Sequence, residues 1–372
     1  MRIFEIEDEA GFLAFGDEWR RLFDETLDAT PFQSWEWLST WWKHFGRGQP
    51  LVIVAQEEST PLCAIALTAT PYRHTPLHLL QWMGAPQSDY NDFVGGLRRD
   101  ECAAAIFRHL SGKRSWHVCD LSDLRARTLA SFSESLGVDS CDTRPCAAAP
   151  LPSTRAEFDR GLSPKLRATI KQTLRRLHDD HGPVAFSRVE SLEEIPGAME
   201  DLFRLHAARF QQRGSAGAFA EANTRAFHQE IAERFLECGR LRLYRLSSGE
   251  RRLAMLYCFL QRGVVYNYLS GFDPEFGRYS PGVLLLNHAI GDALEEGARE
   301  FDFMRGAESY KARWNAVSRE NGRIIFGRRG FASRAAVASR RAERRISRFL
   351  QSYGTSETGG RASQSSNTPS KA

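Results

Sequence analysis

A predicted helix start in the second half of the chain has the residue types that bind anions. Ser280-Pro281-Gly282 begins this helix, because serine caps a helix and proline fits its first turn. The first N–H groups of a helix have no partner inside it and lie at the positive end of its dipole, and Arg278 adds a guanidinium nearby. These features predict that a phosphate or similar anion binds there. The residues predicted to hold it are Arg278, Ser280, Gly282, Val283 and Leu284.

Two carboxylates lie near the end of the strand that we predict after this helix. Asp302 is within the strand Phe301–Met304, and Glu308 follows it. Open α/β sheets bind ligands at the carboxyl ends of their strands, so both side chains are candidate general bases. Asp302 alternates with two phenylalanines, so a structural hydrogen bond is equally compatible. Lys311 and Arg313 are candidates for binding a phosphate or an acidic sugar, although single charges of this kind are more often only solvated.

Two further polar groups are candidates for binding a second substrate. His206, Arg209 and Arg213 are spaced by three and four residues on the predicted helix Ile195–Gln212, so they share one face. The loop Asp89-Tyr90-Asn91-Asp92 has side chains that can hydrogen-bond the hydroxyls of a glycan. Single histidines and acidic loops are also common without any role in function, and that interpretation stays open for each group.

A strand, a loop, a helix and a second strand must position these residues. Residues 264–269 have the β-branched and aromatic content of a strand, and the helix that follows ends at Gly297. Strands flanked by helices also occur in the first half, where they form an incomplete copy of the later order. Residues 139–155 contain three prolines and are predicted to connect the two halves.

The chain resembles the acyl-CoA-binding half of the GNAT N-acyltransferase superfamily. The resemblance is to the branch associated with cellulose and exopolysaccharide biosynthesis, which is related to the FemAB-type peptidyltransferases. It covers roughly residues 30 to 326, and one difference is that the segment 278–283 has a single glycine where the family's phosphate loop has more. The matching motifs are Pro31-Phe32-Gln33-Ser34-x-Glu36-Trp37-Leu38, Trp41-Trp42, Phe45-Gly46, the segment 268–273, Tyr279-Ser280-Pro281-Gly282, Glu300-Phe301-Asp302-Phe303 and Tyr310-Lys311-x-Arg313-Trp314.

The resemblance implies a fold of the α/β (α+β) class with two tandem GNAT-like domains. Each domain would be a mixed sheet flanked by helices, with the second domain better preserved. We expect a degenerate GNAT-like domain over residues 1–150 and the acyltransferase domain over residues 151–327. A basic amphipathic helix over residues 328–353 and a disordered tail over residues 354–372 would follow.

The resemblance also implies a reaction. Acetyl-CoA or another acyl-CoA would be the co-substrate, without a metal, and a bound amine would attack the thioester directly. The backbone of Leu269, Ser270 and Gly271 would lie beside the thioester carbonyl, and Tyr310 would be the general acid at the leaving sulfur. The acceptor would be an amino group of a sugar or small precursor linked to extracellular polysaccharide.

The charge of the chain is unevenly distributed. From Gly327 onward there are ten basic and two acidic residues, a formal charge of +8, which leaves −4 for residues 1–326 out of a total of +4. Apolar residues alternate with the arginines of this tail, so its predicted helix is suited to contact an anionic membrane or an acidic partner. A final helix with a solvated arginine face is an equally good interpretation.

Two other functions are compatible with the sequence. The related FemAB-type enzymes use aminoacyl-tRNA, and a predicted helix with basic residues at 165, 167, 171, 175 and 176 has the charge that RNA binding requires. The net negative charge of residues 1–326 argues against that, so we expect no nucleic-acid partner. A non-catalytic GNAT-like protein that regulates a polysaccharide synthase also fits, because the phosphate loop is poor in glycine.

Composition predicts a cytoplasmic protein. At 372 residues and 42% hydrophobic content, the chain is long enough for two cores. Its seven cysteines are odd in number and include no C-x-x-C pair, which indicates neither a disulfide framework nor a zinc site. The first residues lack the basic and apolar regions of a signal peptide, and no apolar run approaches the length that crosses a bilayer.

Overall fold

The computed structural model describes residues 1–96, 98–112, 116–130, 142–211, 214, 217–328 and 330–359, the last thirteen as backbone alone. The strands of the first half are β1 (Arg2–Ile6), β2 (Gln49–Glu57), β3 (Thr60–Pro71), β4 (His78–Trp82), β5 (Val94–Gly95), β6 (Val118–Leu124) and β7 (Asp142–Pro150). Its helices are α1 (Glu9–Ala14), α2 (Gly16–Glu25), α3 (Trp35–Phe45), α4 (Arg99–Gly112) and α5, which is described over residues 126–130.

The second half repeats this order. Its strands are β8 (Val184–Arg188), β9 (Leu241–Ser248), β10 (Arg251–Gln261), β11 (Val264–Phe272), β12 (Glu300–Arg305) and β13 (Val317–Gly327). Its helices are α6 (Arg155–Gly161), α7 (Pro164–His181), α8 (Ile195–Gln211), α9 (Ala222–Glu237), α10 (Pro281–Glu295) and α11 (Phe331–Gly359). In each half, three antiparallel strands are followed by a helix and a parallel strand, β4-α4-β6 in the first and β11-α10-β12 in the second. The predicted mixed α/β repeat is confirmed.

One mixed sheet of 13 strands joins the two halves. Its order is β1-β2-β3-β4-β6-β13-β7-β12-β11-β10-β9-β8, with β5 paired to β3. The last strand of the first half, β7, pairs with β12 of the second, and the last strand of the second half, β13, pairs with β6 of the first. The two halves therefore exchange their last strands, and β7 and β13 pair with each other at the centre.

This exchange corrects the prediction that residues 139–155 only connect the halves. Within that segment, residues 142–150 form β7, and residues 139–141 lie outside the described part of the chain. Pro145 is accommodated because it lies just beyond Cys146, the last residue of β7 that pairs with β12, and its carbonyl accepts the N–H of Gly306 at 2.9 Å. The predicted domain boundary at residue 150 also assigns β7 to the first domain, although β7 pairs with β12 and β13 of the second half.

Both faces of the sheet are covered by apolar layers. On β2, Val52 and Val54 belong to one layer, whereas Leu51 and Ile53 belong to the other. Helices α1 to α3, α8 and α9 cover the first face across both halves. The second face is covered by α4 in the first half and by α7 and α10 in the second. Trp37 is fully buried, as its helical spacing with the other tryptophans predicts.

The C-terminal helix α11 packs on the first half of the chain. Ser333 and Ala336 are buried, and the helix contacts β6 and β13. Arg340 Nε donates to Asp120 Oδ2 at 2.7 Å. The helix continues to Gly359, past residue 354 at which we predict the disordered tail to begin, and residues 360–372 lie outside the described part. The basic segment is therefore attached to the core over at least its first three turns.

A buried carboxylate holds this helix in place. The side chain of Asp120 has no exposed surface and forms ion pairs with Arg323 at 2.6 Å, Arg340 at 2.7 Å and Arg344 at 3.6 Å. Burial alone would raise the pKa of Asp120, but the three guanidinium groups outweigh it and hold that pKa below its ordinary value of 3.8. This cluster joins β6, β13 and α11.

Asp120→Asn should lower the free energy of unfolding by about 3–5 kcal/mol, because it leaves the arginines without their counter-charge. Denaturant unfolding at neutral pH measures the loss. Since the folded-state pKa is depressed, the contribution is complete above the unfolded value near 3.8 and is lost as the pH falls through the lower folded value. Asp100→Asn is the control, because it removes an exposed pair with Arg127 that contributes less than about 1 kcal/mol. Equal losses in both variants would contradict the prediction.

Candidate active site

Strands β11 and β12 separate partway along their length. Their parallel pairing is limited to Val264–Tyr266 opposite Glu300–Asp302. Beyond this point β11 stays paired with β10, whereas β12 stays paired with β7. A gap therefore opens between the carboxyl ends of two parallel strands, which is where α/β sheets bind ligands.

A bulge and a glycine shape the wall of this gap. The register of β11 against β10 shifts between Tyr257 and Cys258, so Tyr268 is an additional residue in β11. Helix α8 approaches β11 closely at Gly271, where a Cβ atom would lie 2.4 Å from the backbone N of His206. Gly271 is therefore required by this packing as well as being a predicted ligand contact. The close approach places the predicted polar face of α8 directly beside β11.

Two cavities meet in the gap. The wedge cavity has a volume of about 270 Å³ and lies between β10, β11 and the start of α10. Its walls are mainly apolar and include Met255, Leu256, Phe272, Gly282, Leu285 and Leu286. The polar cavity has a volume of about 510 Å³ and includes Asp89, His206, Arg209, Arg305, Glu308 and Lys311. Four residues line both cavities and are called the junction residues: Arg209, Asn267, Ser270 and Tyr310.

The start of α10 is capped differently from the prediction. Ser280 has a left-handed φ of 46°, and its side chain makes no capping hydrogen bond. The N–H of Ser280 donates to the Gly277 carbonyl at 3.0 Å, and the N–H groups of Val283 and Leu284 both donate to the Ser280 carbonyl. Three of the predicted anion-binding N–H groups are thus already bonded. Gly282 lines the wedge cavity, and a Cβ there would meet its nearest atom only at 3.9 Å, so its backbone is open to a ligand.

Arg278 lies beside the loop that precedes α10. Its guanidinium is 4.6 Å from the centre of the Tyr279 ring and 3.7 Å from the carboxylate of Asp180 on α7. The side chain is 68% exposed, so this ion pair holds it only weakly. Arg278 does not line the wedge cavity in this conformation.

The junction combines a cation with hydrogen-bonding groups. Arg209 donates to Ser270 Oγ at 3.1 Å, and its guanidinium lies 5.2 Å from the centre of the Phe272 ring. Asn267 is buried on β11 between the two cavities. Sequence reasoning missed Asn267, although an amide within the otherwise apolar and aromatic segment 264–269 is the signal that identifies it.

Tyr310 is the junction residue with a phenolic hydroxyl. Tyr310 follows β12 in the chain. Its ring packs edge to face against Phe303, with 6.3 Å between the ring centres. Burial, together with the nearby carboxylate of Glu308, raises the pKa of Tyr310 to about 12. The hydroxyl is therefore protonated throughout the neutral range and is available as a hydrogen-bond donor.

The ammonium group of Lys311 is bonded within the protein and, contrary to the prediction from the sequence, is not placed to bind a phosphate or an acidic sugar. It is 3% exposed, and its ammonium group donates to the carbonyls of Met304 at 3.2 Å, Arg305 at 2.7 Å and Gly306 at 3.1 Å. It also pairs with the carboxylate of Glu308 at 2.9 Å. Its three N–H donors are thus taken up by the turn that follows β12, which they hold closed. Glu308 remains half exposed at the wall of the polar cavity.

His206 is buried in an aromatic setting. Its ring stacks on Phe210 at 4.4 Å and meets Phe219 edge to face at 4.9 Å. Burial, with a contribution from the charge of Arg209, lowers the pKa of His206 to about 4, so the ring is neutral at neutral pH. Its Nδ1 atom has no hydrogen-bond partner within the described residues. The third predicted member of this face, Arg213, lies outside them.

Asp89 brings the first half of the chain into the site. Its carboxylate forms an ion pair with Arg305, whose guanidinium is also 3.3 Å from Asp123. Burial raises the pKa of Asp89, although the charge of Arg305 opposes that shift. The structure thus places Asp89 in the same cavity as Glu308 and Tyr310, although they are more than 200 residues apart in the chain.

The remaining predicted site residues are dispersed. Leu269 lines the polar cavity, whereas Leu284 is buried and lines neither cavity. Arg313 is exposed and lines neither. Asp302 accepts a hydrogen bond from the Tyr90 hydroxyl at 2.9 Å and lines a third cavity, which none of the junction residues reach.

The described residues contain neither a cluster of metal ligands nor a helix that could span a membrane. No group of three or more His, Cys, Asp or Glu side chains is placed there to hold a metal ion. None of the helices in that part of the chain is both long and apolar enough to cross a bilayer.

Comparisons with known proteins agree with this geometry. Residues 164–312 match the family model described as the acetyltransferase (GNAT) domain. The crystal structure of FemX is similar with a TM-score of 0.64 and 12% identity, over 87% of this chain and 97% of FemX. A protein of unknown function from Bacteroides thetaiotaomicron has a TM-score of 0.52 and 12% identity, over 84% of this chain and 96% of its own.

A third solved structure is the C-terminal domain (DUF2156) of a protein from Agrobacterium fabrum that carries the provisional name lysylphosphatidylglycerol synthetase. Its TM-score is 0.50 with 14% identity, over 78% of this chain and 87% of that domain. A search of curated proteins gives no significant match. The segment 164–312 that matches the GNAT acetyltransferase domain therefore contains α10, the wedge cavity and all four junction residues, within a fold that 87% of the chain shares with FemX.

Proposed function

We propose that the chain is an acyl-CoA-dependent N-acyltransferase that transfers an acetyl group. The observation that carries the proposal is the meeting of the wedge cavity and the polar cavity at the junction residues. An apolar channel that ends at a polar chamber suits a thioester on a long arm that must meet an amine. The match of residues 164–312 to the GNAT domain supports the same reaction class.

The residues around the wedge cavity fit the chemistry of an acyl-CoA. The open backbone at Gly282, the positive end of the α10 dipole and the guanidinium of Arg278 would hold its pyrophosphate. The backbone of Ser270 and Gly271 along β11 would bond its amide-containing arm and the thioester carbonyl.

The chemistry requires no covalent enzyme intermediate, because a bound amine attacks a thioester directly. The C–N bond forms, the C–S bond breaks, and one proton leaves the amine. Thiols have a pKa near 8.5, so Tyr310, with a pKa raised to about 12, is the weaker acid. We therefore assign the Tyr310 hydroxyl a hydrogen bond to the developing thiolate. Glu308 is the proposed base, because it is the carboxylate of the polar cavity that remains half exposed.

The acceptor would occupy the polar cavity. We propose an amino group of a sugar or small precursor linked to extracellular polysaccharide, with Asp89, His206 and Arg209 as its contacts. The cavity volume of about 510 Å³ is compatible with a substrate of that size. The polysaccharide link is supported by the motif resemblance alone.

A second candidate function is aminoacyl-tRNA-dependent peptidyl transfer of the FemAB type. The observation that favours it is the structural similarity to FemX over 87% of this chain. A non-catalytic GNAT-like regulator of a polysaccharide synthase is a third. Calorimetric titration with acetyl-CoA separates them, because only the first candidate requires binding in the wedge cavity. Saturable binding supports the proposal, and no binding together with transfer from aminoacyl-tRNA would replace it with the second candidate.

The compartment we propose is the cytoplasm, where acyl-CoA is available and thiols stay reduced. None of the six described cysteines forms a disulfide. We further propose peripheral membrane contact through α11, because Phe331 and Ile346 are 89% and 60% exposed beside arginines that face away from the core.

Gly282→Asp should weaken acetyl-CoA binding, because it places a carboxylate in the open space beside the proposed phosphate site. Isothermal titration calorimetry measures the dissociation constant, and we expect a loss of about tenfold or more. Gly197→Asp is a matched control, because Gly197 also follows a proline in the first turn of a helix and a Cβ there meets nothing within 4 Å. Unchanged affinity in Gly282→Asp would remove the proposed site.

Tyr310→Phe should lower kcat by about 10²-fold and leave the dissociation constant of acetyl-CoA nearly unchanged, because the hydroxyl acts on the leaving sulfur alone. Turnover is measured as free thiol released with an amine acceptor. Tyr72→Phe, which removes a hydroxyl bonded to Glu343 far from both cavities, is the control. Wild-type turnover in Tyr310→Phe would return this residue to a packing role.

Replacing both Phe331 and Ile346 with serine should reduce cosedimentation with vesicles that contain an anionic phospholipid. Both side chains are exposed, so the fold should be unaffected. Binding should also weaken as salt is raised, because the arginines of α11 attract the surface electrostatically. Failure of the full-length protein to bind such vesicles at low salt would refute the membrane contact.

A further inference from the structure

A third cavity, called the far cavity, lies where the two halves meet beside the start of β11 and β12. Its volume is about 490 Å³. The first half contributes Asp28, Tyr90 and Arg125, and the second half contributes residues of β11, β12 and β13 that include Asp302 and Arg319. Since no junction residue lines it, this cavity is separate from the proposed active site.

A buried carboxylate without a cation faces this cavity. Asp302 is 3% exposed, and its two oxygens accept the Tyr90 hydroxyl at 3.0 Å and 2.9 Å. Oδ1 also accepts the N–H of Met304 at 2.7 Å. The Tyr90 hydroxyl is the one hydrogen-bond donor that Oδ2 has among the described residues. In the described part of the chain, no Arg, Lys or His nitrogen lies within ion-pair distance of Asp302.

Burying a carboxylate without a counter-charge is costly. Burial raises the pKa of Asp302 to about 6, because the Met304 N–H, the Tyr90 hydroxyl and the charge of Arg319, which pairs with Glu300 instead, do not offset the lost hydration. An ammonium group bound beside Oδ2 would supply the missing counter-charge and a second donor to that oxygen.

The rim of the far cavity carries charges of both signs. Four of the eight are paired with each other: Arg319 with Glu300 at 2.8 Å and Arg125 with Asp28 at 2.7 Å. Arg299 is exposed, and its side chain has no partner among the described residues. The charged lining residues are four arginines and four acids, namely Arg125, Arg262, Arg299, Arg319, Asp28, Glu300, Asp302 and Glu320. This balance favours a ligand with both signs of charge and no large net charge.

We propose that the far cavity binds a small zwitterion, with its ammonium group at Asp302 and its anionic group at Arg299. Amino acids and aminoalkyl phosphates share this chemistry. The pairing gives the Asp302 carboxylate a cation within ion-pair distance and uses Arg299, a guanidinium of the rim that has no ion pair among the described residues. This site is independent of the acyl-CoA and acceptor cavities.

The test is calorimetric titration of the full-length protein with γ-aminobutyrate and phosphoethanolamine. The matched single-charge probes are butyrate, ethanolamine and inorganic phosphate. A zwitterion should bind about tenfold or more tightly than any of the three. Preference for γ-aminobutyrate or for phosphoethanolamine identifies the anionic group as carboxylate or phosphate.

Variants locate the binding. Asp302→Asn and Arg299→Ala should each weaken zwitterion binding about tenfold, and Arg299→Lys should restore part of it. Arg313→Ala, an exposed arginine outside all three cavities, is the control for Arg299→Ala. The proposal is overturned if neither zwitterion binds at millimolar concentration, or if Arg299→Ala and Arg313→Ala behave alike. Acetyl-CoA titration of Asp302→Asn should match the wild type, so failure here is distinguishable from failure of the acyltransferase proposal.

Discussion

Strands β7 and β13 each hydrogen-bond to the half of the chain that they do not belong to by sequence. Because β7 takes the place beside β12, β12 is free to leave β11 after Asp302, and the polar cavity opens in the space between them. The same exchange fixes the two halves against each other, so that Asp89 of the first can pair with Arg305 of the second. The polar cavity therefore needs both halves, and an isolated second half would lack part of its wall.

Asp120 and Asp302 are buried aspartates on corresponding strands of the two halves. They differ in whether the fold supplies arginines within ion-pair distance. Asp120 on β6 has three arginines within ion-pair distance, and its pKa is held below the ordinary value. Asp302 on β12 has a tyrosine hydroxyl and a backbone N–H instead, and its pKa is raised to about 6. The first carboxylate is satisfied by the fold, whereas the second still lacks a cation. Burial alone does not distinguish them, because both are almost completely inaccessible.

Local sequence patterns predicted the elements around α10 because each depends on neighbouring residues. The proline and glycine at its start, the breaker at its end and the alternation of β12 are all short-range signals. The exchange of β7 was not predictable in this way, since pairing between residues 142–150 and 300–327 is non-local and the prolines in the segment indicate a connection. The capping of α10 was missed because Ser280 adopts a left-handed φ in which its side chain makes no capping hydrogen bond, and the local sequence does not indicate that conformation. Lys311 appeared to be a solvated charge because its partners are carbonyls of a turn, which sequence does not show.

The polar cavity and the far cavity are connected through two adjacent residues of the first half and two residues of β12. Asp89 pairs with Arg305, and its neighbour Tyr90 donates to Asp302 on the same strand. Between them, Met304 has a positive φ of 61° and donates its N–H to Asp302, so β12 turns sharply over three residues. The loop at 89–90 and the end of β12 therefore contribute a polar side chain to the wall of each cavity, although the two cavities share no lining residue.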